Sequence, residues 1–348
     1  MSRDTTVRLP EAGTRAGATE PTPLTERILS RLPGPRLLWL GVWVLVPWMN
    51  AAVSLMLQAA ELLPPWENLT AQLLNRAAFS FAIVLSVWGA ARITRGLDGL
   101  RPRLAELVGG TDDPMEAFRG MGSALGPLLL TVATAVVFGG QGLVAHGWLR
   151  GIVSGGAWLL IGVALWTFFW VYLNLQIGLH RLGRRHLSLR PYPGDRSLGL
   201  RPVGRLAFTG FWTFVALLAP LILAPFLISR VPDFLGLSVG LVVLLAGLAA
   251  FFLSLRRLNR QMVAAKQREL GWARGLYEQA FRPVREEGTL EALQRQSGLL
   301  GAAEALEKRA ERIQEWPFDE GTFARVVAIS STVVAAIVAR LLLAPFGI

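Results

Sequence analysis

Seven stretches of this chain are apolar for long enough to cross a bilayer, and the cationic residues between them fall almost wholly on one side. A helix rises about 1.5 Å per residue, so a crossing needs about 20 apolar residues in a row. The pattern predicts spans over 37–63, 77–93, 124–146, 155–179, 206–229, 234–255 and 323–346. The second is short, since Arg92 caps its end, and Pro64-Pro65 close the first. Ser154 is placed to cap the fourth, and Val231-Pro232 turns the fifth into the sixth. Only 17% of the 348 residues are charged, against about 25% in a soluble domain. Lipid is the solvent such a chain needs.

The arginines set the orientation. Residues 1–36, 92–123, 180–205 and 256–322 carry six, five, seven and twelve Arg or Lys, and alternating spans place all thirty on one side. The opposite side holds only Arg76, Arg150 and Arg230. By the positive-inside rule the amino terminus is cytoplasmic and the carboxyl terminus extracytoplasmic. Trp39 and Trp43 near the inner end of the first span, with Trp66 and Trp148 at outer turns, fit an aromatic belt. A net charge of +11 would point to nucleic acid in a soluble protein; here it serves orientation, and no nucleic-acid partner is expected. All but two of the cationic residues are arginine, which fits a GC-rich bacterial genome and an inner-membrane location. Residues 1–35 are polar, without the apolar core of a signal peptide, and read as a disordered cytoplasmic tail with a short helix at Leu24–Leu32.

The fold class is therefore all-α: a polytopic membrane protein with seven transmembrane helices and a cytoplasmic helical hairpin between the sixth and seventh. Its parts are the tail 1–35, a six-span bundle 36–255, the hairpin 256–322 and the seventh span 323–348. In the hairpin, Leu258, Met262, Trp272, Leu276 and Ala280 recur near helical spacing, as do Leu290, Leu293, Leu300, Ala303, Leu306, Ala310 and Ile313. Pro283 and Gly288 break the two arms apart. The first arm, 256–285, has eight cationic and two acidic residues; the second, 286–320, has nine acidic and four cationic. Opposite charge favours their pairing, while apolar faces supply most of the stability. No proline or glycine separates the sixth span from the first arm before Gly271, so one rigid rod should run from membrane to cytoplasm.

Little chemistry is encoded. The absence of cysteine excludes disulfides and thiolate metal sites. The three histidines, His146, His180 and His186, lack acidic co-ligands, and no phosphate-cradling glycine loop appears. Ser123, in Gly-Ser-Ala, is better placed as a helix cap than as a nucleophile. No enzyme activity, cofactor or metal is expected.

Binding candidates are sharper. Arg181, Arg184, Arg185 and Arg196, around the turn-rich run Pro191–Asp195, are candidates for lipid phosphate or a soluble anion, because guanidinium groups hold phosphate bidentately. The plain alternative is a positive-inside anchor, with Asp195 paired to one of the arginines. Within the spans, ionisable groups are costly. Arg340 and Glu61 lie at matching depths, which suits a salt bridge; the alternatives are that Arg340 snorkels outward or lines an anion path. Ser330, Ser331 and Thr332 form a hydroxyl cluster that faces water or bonds back to its own helix; Asn174 and Gln176 line a polar route or bond between helices.

The motif Leu187-Ser188-Leu189-Arg190-Pro191, Asp195, Gly199-Leu200-Arg201-Pro202 and the distant Trp316-Pro317-Phe318 resembles uncharacterised bacterial polytopic membrane proteins over about a quarter of the chain, and implies no activity. The layout is also similar to that of insect chemoreceptor channels, in topology alone. Three functions stand at this point. The first is an oligomeric ion channel with the seventh span near the pore and 256–322 assembling or gating it. The second is a sensor or scaffold whose hairpin binds a cytoplasmic partner. The third is a solute transporter, disfavoured by the lack of mid-membrane Asp or Glu. Expected partners are the bilayer with its anionic lipids, further copies of the chain and a cytoplasmic protein.

Overall fold

A computed structural model describes residues 22–60, 62, 69–109, 113–189, 195–226, 234–318 and 320–343. Among these the chain is all-α. The helices are α1 (Leu24–Arg31), α2 (Arg36–Ala59), α3 (Leu69–Val108), a 3₁₀ helix (Pro114–Gly122), α4 (Leu125–His146), α5 (Trp148–Leu182), α6 (Arg201–Phe226), α7 (Phe234–Glu287), α8 (Leu290–Glu311) and α9 (Glu320–Leu343). Six helical segments are long and apolar enough to cross a membrane: α2, α3, the 3₁₀ helix continued by α4, α5, α6 and α7. In α9 the apolar stretch is shorter, Ala324–Ala335.

Several boundaries move from their predicted places, each for a local reason. The second span is no short helix; α3 runs 40 residues, because beyond Arg92 it becomes one-sided, burying Ile93, Leu97, Leu104 and Leu107 against the bundle. A hydropathy window misses that kind of helix, since only one face is apolar. Ser154 does not cap the fourth span: α5 starts at Trp148, and the Ser154 Oγ donates to the Phe138 carbonyl across the crossing with α4, at 3.2 Å. Ser123 caps no α-helix start either, since it closes the 3₁₀ helix and Ala124 precedes α4. Pro283 lies inside α7, and the reversal falls at Gly288-Thr289, where the Thr289 hydroxyl accepts the Ala292 N–H at 3.3 Å. The stretch Leu24–Arg31 is a helix that seats Leu29 in the core, with the Arg27 guanidinium on the Gly122 carbonyl.

Helix α5 is the hub, packing on α1, α2, α3, α4, α6, α7 and the 3₁₀ helix. Rings fill the space among α5, α6 and α7: Tyr172 stacks on Phe214 at 4.8 Å, and Phe211 meets Phe251 in a tilted pair at 4.8 Å. Tryptophans act as rivets between helices. Trp43 is buried and donates to the Leu160 carbonyl at 2.6 Å; Trp48 donates to Ser80, and Trp166 to Thr134. Such bonds hold helices together where apolar packing alone gains little over lipid.

By contrast, α4 packs substantially only on α5, through glycines that let the backbones meet. A Cβ on Gly151 would lie 2.9 Å from the Leu143 Cβ and 3.0 Å from the Gly139 carbonyl oxygen. Gly151→Leu is expected to prise α4 from α5 at about 2–3 kcal/mol. Thermal unfolding of the purified chain in one detergent would report it, as a lowered midpoint in the variant.

Candidate functional site

The residues with most to do outside the bundle meet at the arginine-rich end, where the loop after α5, the shaft of α7 and the segment after α8 are knotted together. One glutamine starts the knot. The Gln261 Nε2, on α7, donates to the carbonyls of Gly183 and Arg185 at 2.9 and 2.8 Å, while its Oε1 accepts the Leu187 N–H at 3.3 Å. Asp195 shapes the next turn. Its two carboxylate oxygens accept the N–H groups of Ser197 and Gly199, both at 2.9 Å, so it caps a turn and pairs with no arginine among the described residues. That turn holds Leu198 at φ +53°, left-handed backbone that costs a non-glycine residue about 1–2 kcal/mol. Burial offsets the cost: Leu198 is wholly enclosed against Ala265, Ala310 and Ile313.

The strap 312–318 closes the knot. The Gln314 N–H donates to the Arg196 carbonyl at 2.8 Å, and Ser197 donates its hydroxyl to the Gln314 side chain at 2.8 Å. Asn259 donates to the Glu315 carbonyl, whose carboxylate pairs with Lys266 at 3.2 Å. Phe318 then lies parallel to Phe251 at 6.1 Å. The motif residues Leu187, Asp195, Gly199 and Trp316–Phe318, more than a hundred positions apart, therefore share one region of the fold. Asp195→Ala is expected to destabilise the protein by about 1–2 kcal/mol, a lost double cap. Asp195→Asn, which keeps one acceptor oxygen, should recover part of it in thermal unfolding.

The four candidate arginines have different settings. Arg185 bonds to the Asp113 carbonyl at 3.3 Å and pairs with Glu116 at 3.4 Å, tying the loop to the 3₁₀ helix. Arg181, Arg184 and Arg196 are exposed. The polar span residues also differ. Asn174 donates to Trp170 on its own helix at 2.8 Å. Gln176, 3% exposed, accepts the Ser254 hydroxyl at 2.6 Å and so joins α5 to α7. Ser331 and Thr332 donate back to the Ala328 carbonyl at 2.9 and 2.8 Å, and Ser330 is buried. They lie on α9, which packs on α6 and α7. Glu61 and the Arg340 side chain lie outside the described residues.

One polar cluster escaped the sequence. Arg150 donates to the Ser54 hydroxyl, and Arg76 is close enough to feel its charge. The two count as outer-side cations in the charge tally, and the tally contains nothing to show that α3 and α5 draw them together beside α2.

The hairpin of α7 and α8 also differs from the pattern read in the sequence. Its seam is alanine: Ala273, Ala280, Ala292, Ala303 and Ala310 are buried, and Arg274 pairs across it with Glu307 at 2.8 Å. On α8, the hydrogen bond and charge of Lys308 hold the Glu304 carboxyl below its ordinary range. Trp272 does not enter the seam and is 55% exposed. Near the tip Tyr277 and Phe281 stack on each other at 5.8 Å, both exposed, and Leu290 is 71% exposed beside the reversal.

Among the described residues no group of acidic or histidine side chains could hold a metal ion. No protein-family model, curated protein or solved structure matches the chain.

Proposed function

We propose that this chain is a membrane-embedded scaffold: a multi-pass bundle that holds a helical hairpin in the cytoplasm for a protein partner. The observation that carries the reading is the apolar tip. With the thirty arginines and lysines inside, α7 leaves the bilayer near Leu255 and ends at Glu287, roughly 45–50 Å further on at 1.5 Å per residue. Tyr277, Phe281 and Leu290 are then too far from lipid to be covered by it, and water is a poor neighbour for exposed rings. The knot of 183–189 and 195–200 with 312–318 supports a stiff mount. In this reading α9 is the seventh span, the carboxyl terminus is extracytoplasmic, and the site is a bacterial inner membrane.

Photo-crosslinking of the full chain in cells is the test. A benzophenone amino acid at Phe281 should form a covalent adduct with a second protein species, and Leu290→Asp should abolish it. Adducts with lipid or with the chain itself alone would overturn the scaffold.

A second reading, the oligomeric ion channel, has one observation in its favour. Val132, Val136 and Ile152 line an open apolar groove of about 550 Å³ along α4 and α5, a face that neighbouring subunits would cover. Voltage-dependent conductance in sealed liposomes, altered by Arg340→Ala, supports it, whereas tight liposomes count against it.

A further inference from the structure

The groove between α3 and α6 has a chemistry that neither the scaffold reading nor the loop arginines account for. About 470 Å³ in volume, it is lined by Trp88, Arg92, Arg95 and Leu100 of α3 and by Arg205 and Thr209 of α6, with no carboxylate among its lining residues. The helices meet closely beneath it, for a Cβ on Gly96 would lie 2.8 Å from the Leu206 side chain. The Arg92 guanidinium sits over the Trp88 ring at 5.2 Å from its centroid, and the Arg95 Nε donates to the Ala91 carbonyl at 3.1 Å. All three arginines line the groove and are exposed.

We propose that this groove binds the phosphate headgroup of an anionic lipid of the cytoplasmic leaflet. Depth is the first argument. α3 starts at Leu69, and about 20 residues cross the hydrocarbon, so the chain reaches the headgroup level near Arg92. α6 runs the other way from Arg201, which brings Arg205 to the same level. Trp88 and Thr209 then lie on the acyl side of the three charges and Leu100 on the aqueous side. Charge is the second argument. Three guanidinium groups with no acid between them leave a positive field at the one depth where lipid phosphates are concentrated. The third is shape: a lateral groove with an apolar, ring-lined inner end takes a chain as well as a headgroup, and a free anion would use only half of it. The inference rests on the membrane placement of α3 and α6 and not on the hairpin's partner.

The experiment titrates the purified full chain in mild detergent with phosphatidylglycerol, cardiolipin or phosphatidylcholine, reading bound lipid by native mass spectrometry. The two anionic lipids should bind and phosphatidylcholine should not. Arg92→Gln and Arg205→Gln should each weaken binding about fivefold, and the triple variant with Arg95→Gln on the order of 100-fold. Should the triple variant not fold, the two single variants still decide. Arg181→Gln with Arg184→Gln, at the end of α5 and in the turn after it, should leave the affinity unchanged, as should Leu290→Asp at the hairpin tip, which separates this result from the fate of the scaffold. Equal binding by wild type and the arginine variants, or equal uptake of phosphatidylcholine, overturns the site. Displacement of lipid by excess inorganic phosphate would make it a soluble-anion site and overturn the lipid occupant.

Discussion

Gly204→Ala should unseat the strap that joins the hairpin to the membrane bundle. Gly204 lies in the first turn of α6, and a Cβ built there falls 1.9 Å from the Pro317 carbonyl oxygen and 2.6 Å from its carbon. Real Cβ atoms do not approach that closely, and the obstacle is backbone, so no side-chain rotation relieves it. Either α6 tilts away from the bundle or residues 312–318 leave their seat. Tilting would strip Leu206, Ala207 and Phe211 from the core, all of them buried, so the strap should yield. The expected cost is about 3 kcal/mol, the upper range for overpacking a tight contact. Thermal unfolding in one detergent measures it, and faster tryptic cleavage after Arg312 locates it. An unchanged melting temperature together with an unchanged cleavage rate would mean that the strap does not dock on α6.

Phe251→Ala should cost about 3–5 kcal/mol, the range for emptying a buried aromatic site. Phe251 is wholly enclosed and forms the joint of three elements. It meets Phe211 of α6 at 4.8 Å, Phe252 of its own helix at 5.2 Å and Phe318 of the strap at 6.1 Å. Truncation removes the ring that all three share, whereas Phe251→Leu keeps most of the volume and should cost under about 1.5 kcal/mol. The two predictions are linked. Once Gly204→Ala has displaced Phe318, Phe251→Ala has less left to lose, so the double variant should be less destabilised than the two single effects added together. The expected coupling is about 0.5–3 kcal/mol, as for residues in one contact network. Strict additivity would show that Phe251 and the strap stabilise the protein independently.

Much of this architecture was legible before any fold was known. The apolar runs at 37–63, 124–146 and 234–255 stand out because lipid demands apolarity on every face of a helix, which a window average detects. The unbroken rod from the sixth span into 256–287 followed from the lack of proline and glycine before Gly271, and α7 does run without a break from Phe234 to Glu287. The end of α3 was not legible, because from Ile93 onward only one face is buried and the average falls. The hairpin was legible in part: Ala280, Ala303, Ala310 and Ile313 are buried, as their spacing predicts, and Trp272 is not. Spacing alone put Trp272 with the buried residues, yet two helices approach most closely on alanines, and the bulky ring is left outside.

The candidate sites divide in the same way. Arginine content and its concentration in a few segments are properties of sequence. Which arginines act together is not. Arg181, Arg184, Arg185 and Arg196 are neighbours in the chain, yet Arg185 is drawn off by Glu116 while the other three are exposed. Arg205 lies more than a hundred positions from Arg92 and Arg95, and all three line one groove. The linear chain determined that this protein belongs in a membrane and which end of it is cationic, because burial in lipid and the placing of charge depend on one segment at a time. Tertiary structure alone decided that Gly204 receives Pro317, that Phe251 receives Phe318 and that α3 and α6 share a cationic groove. Those contacts depend on the crossing of helices far apart in sequence, and no local pattern of residues encodes a crossing.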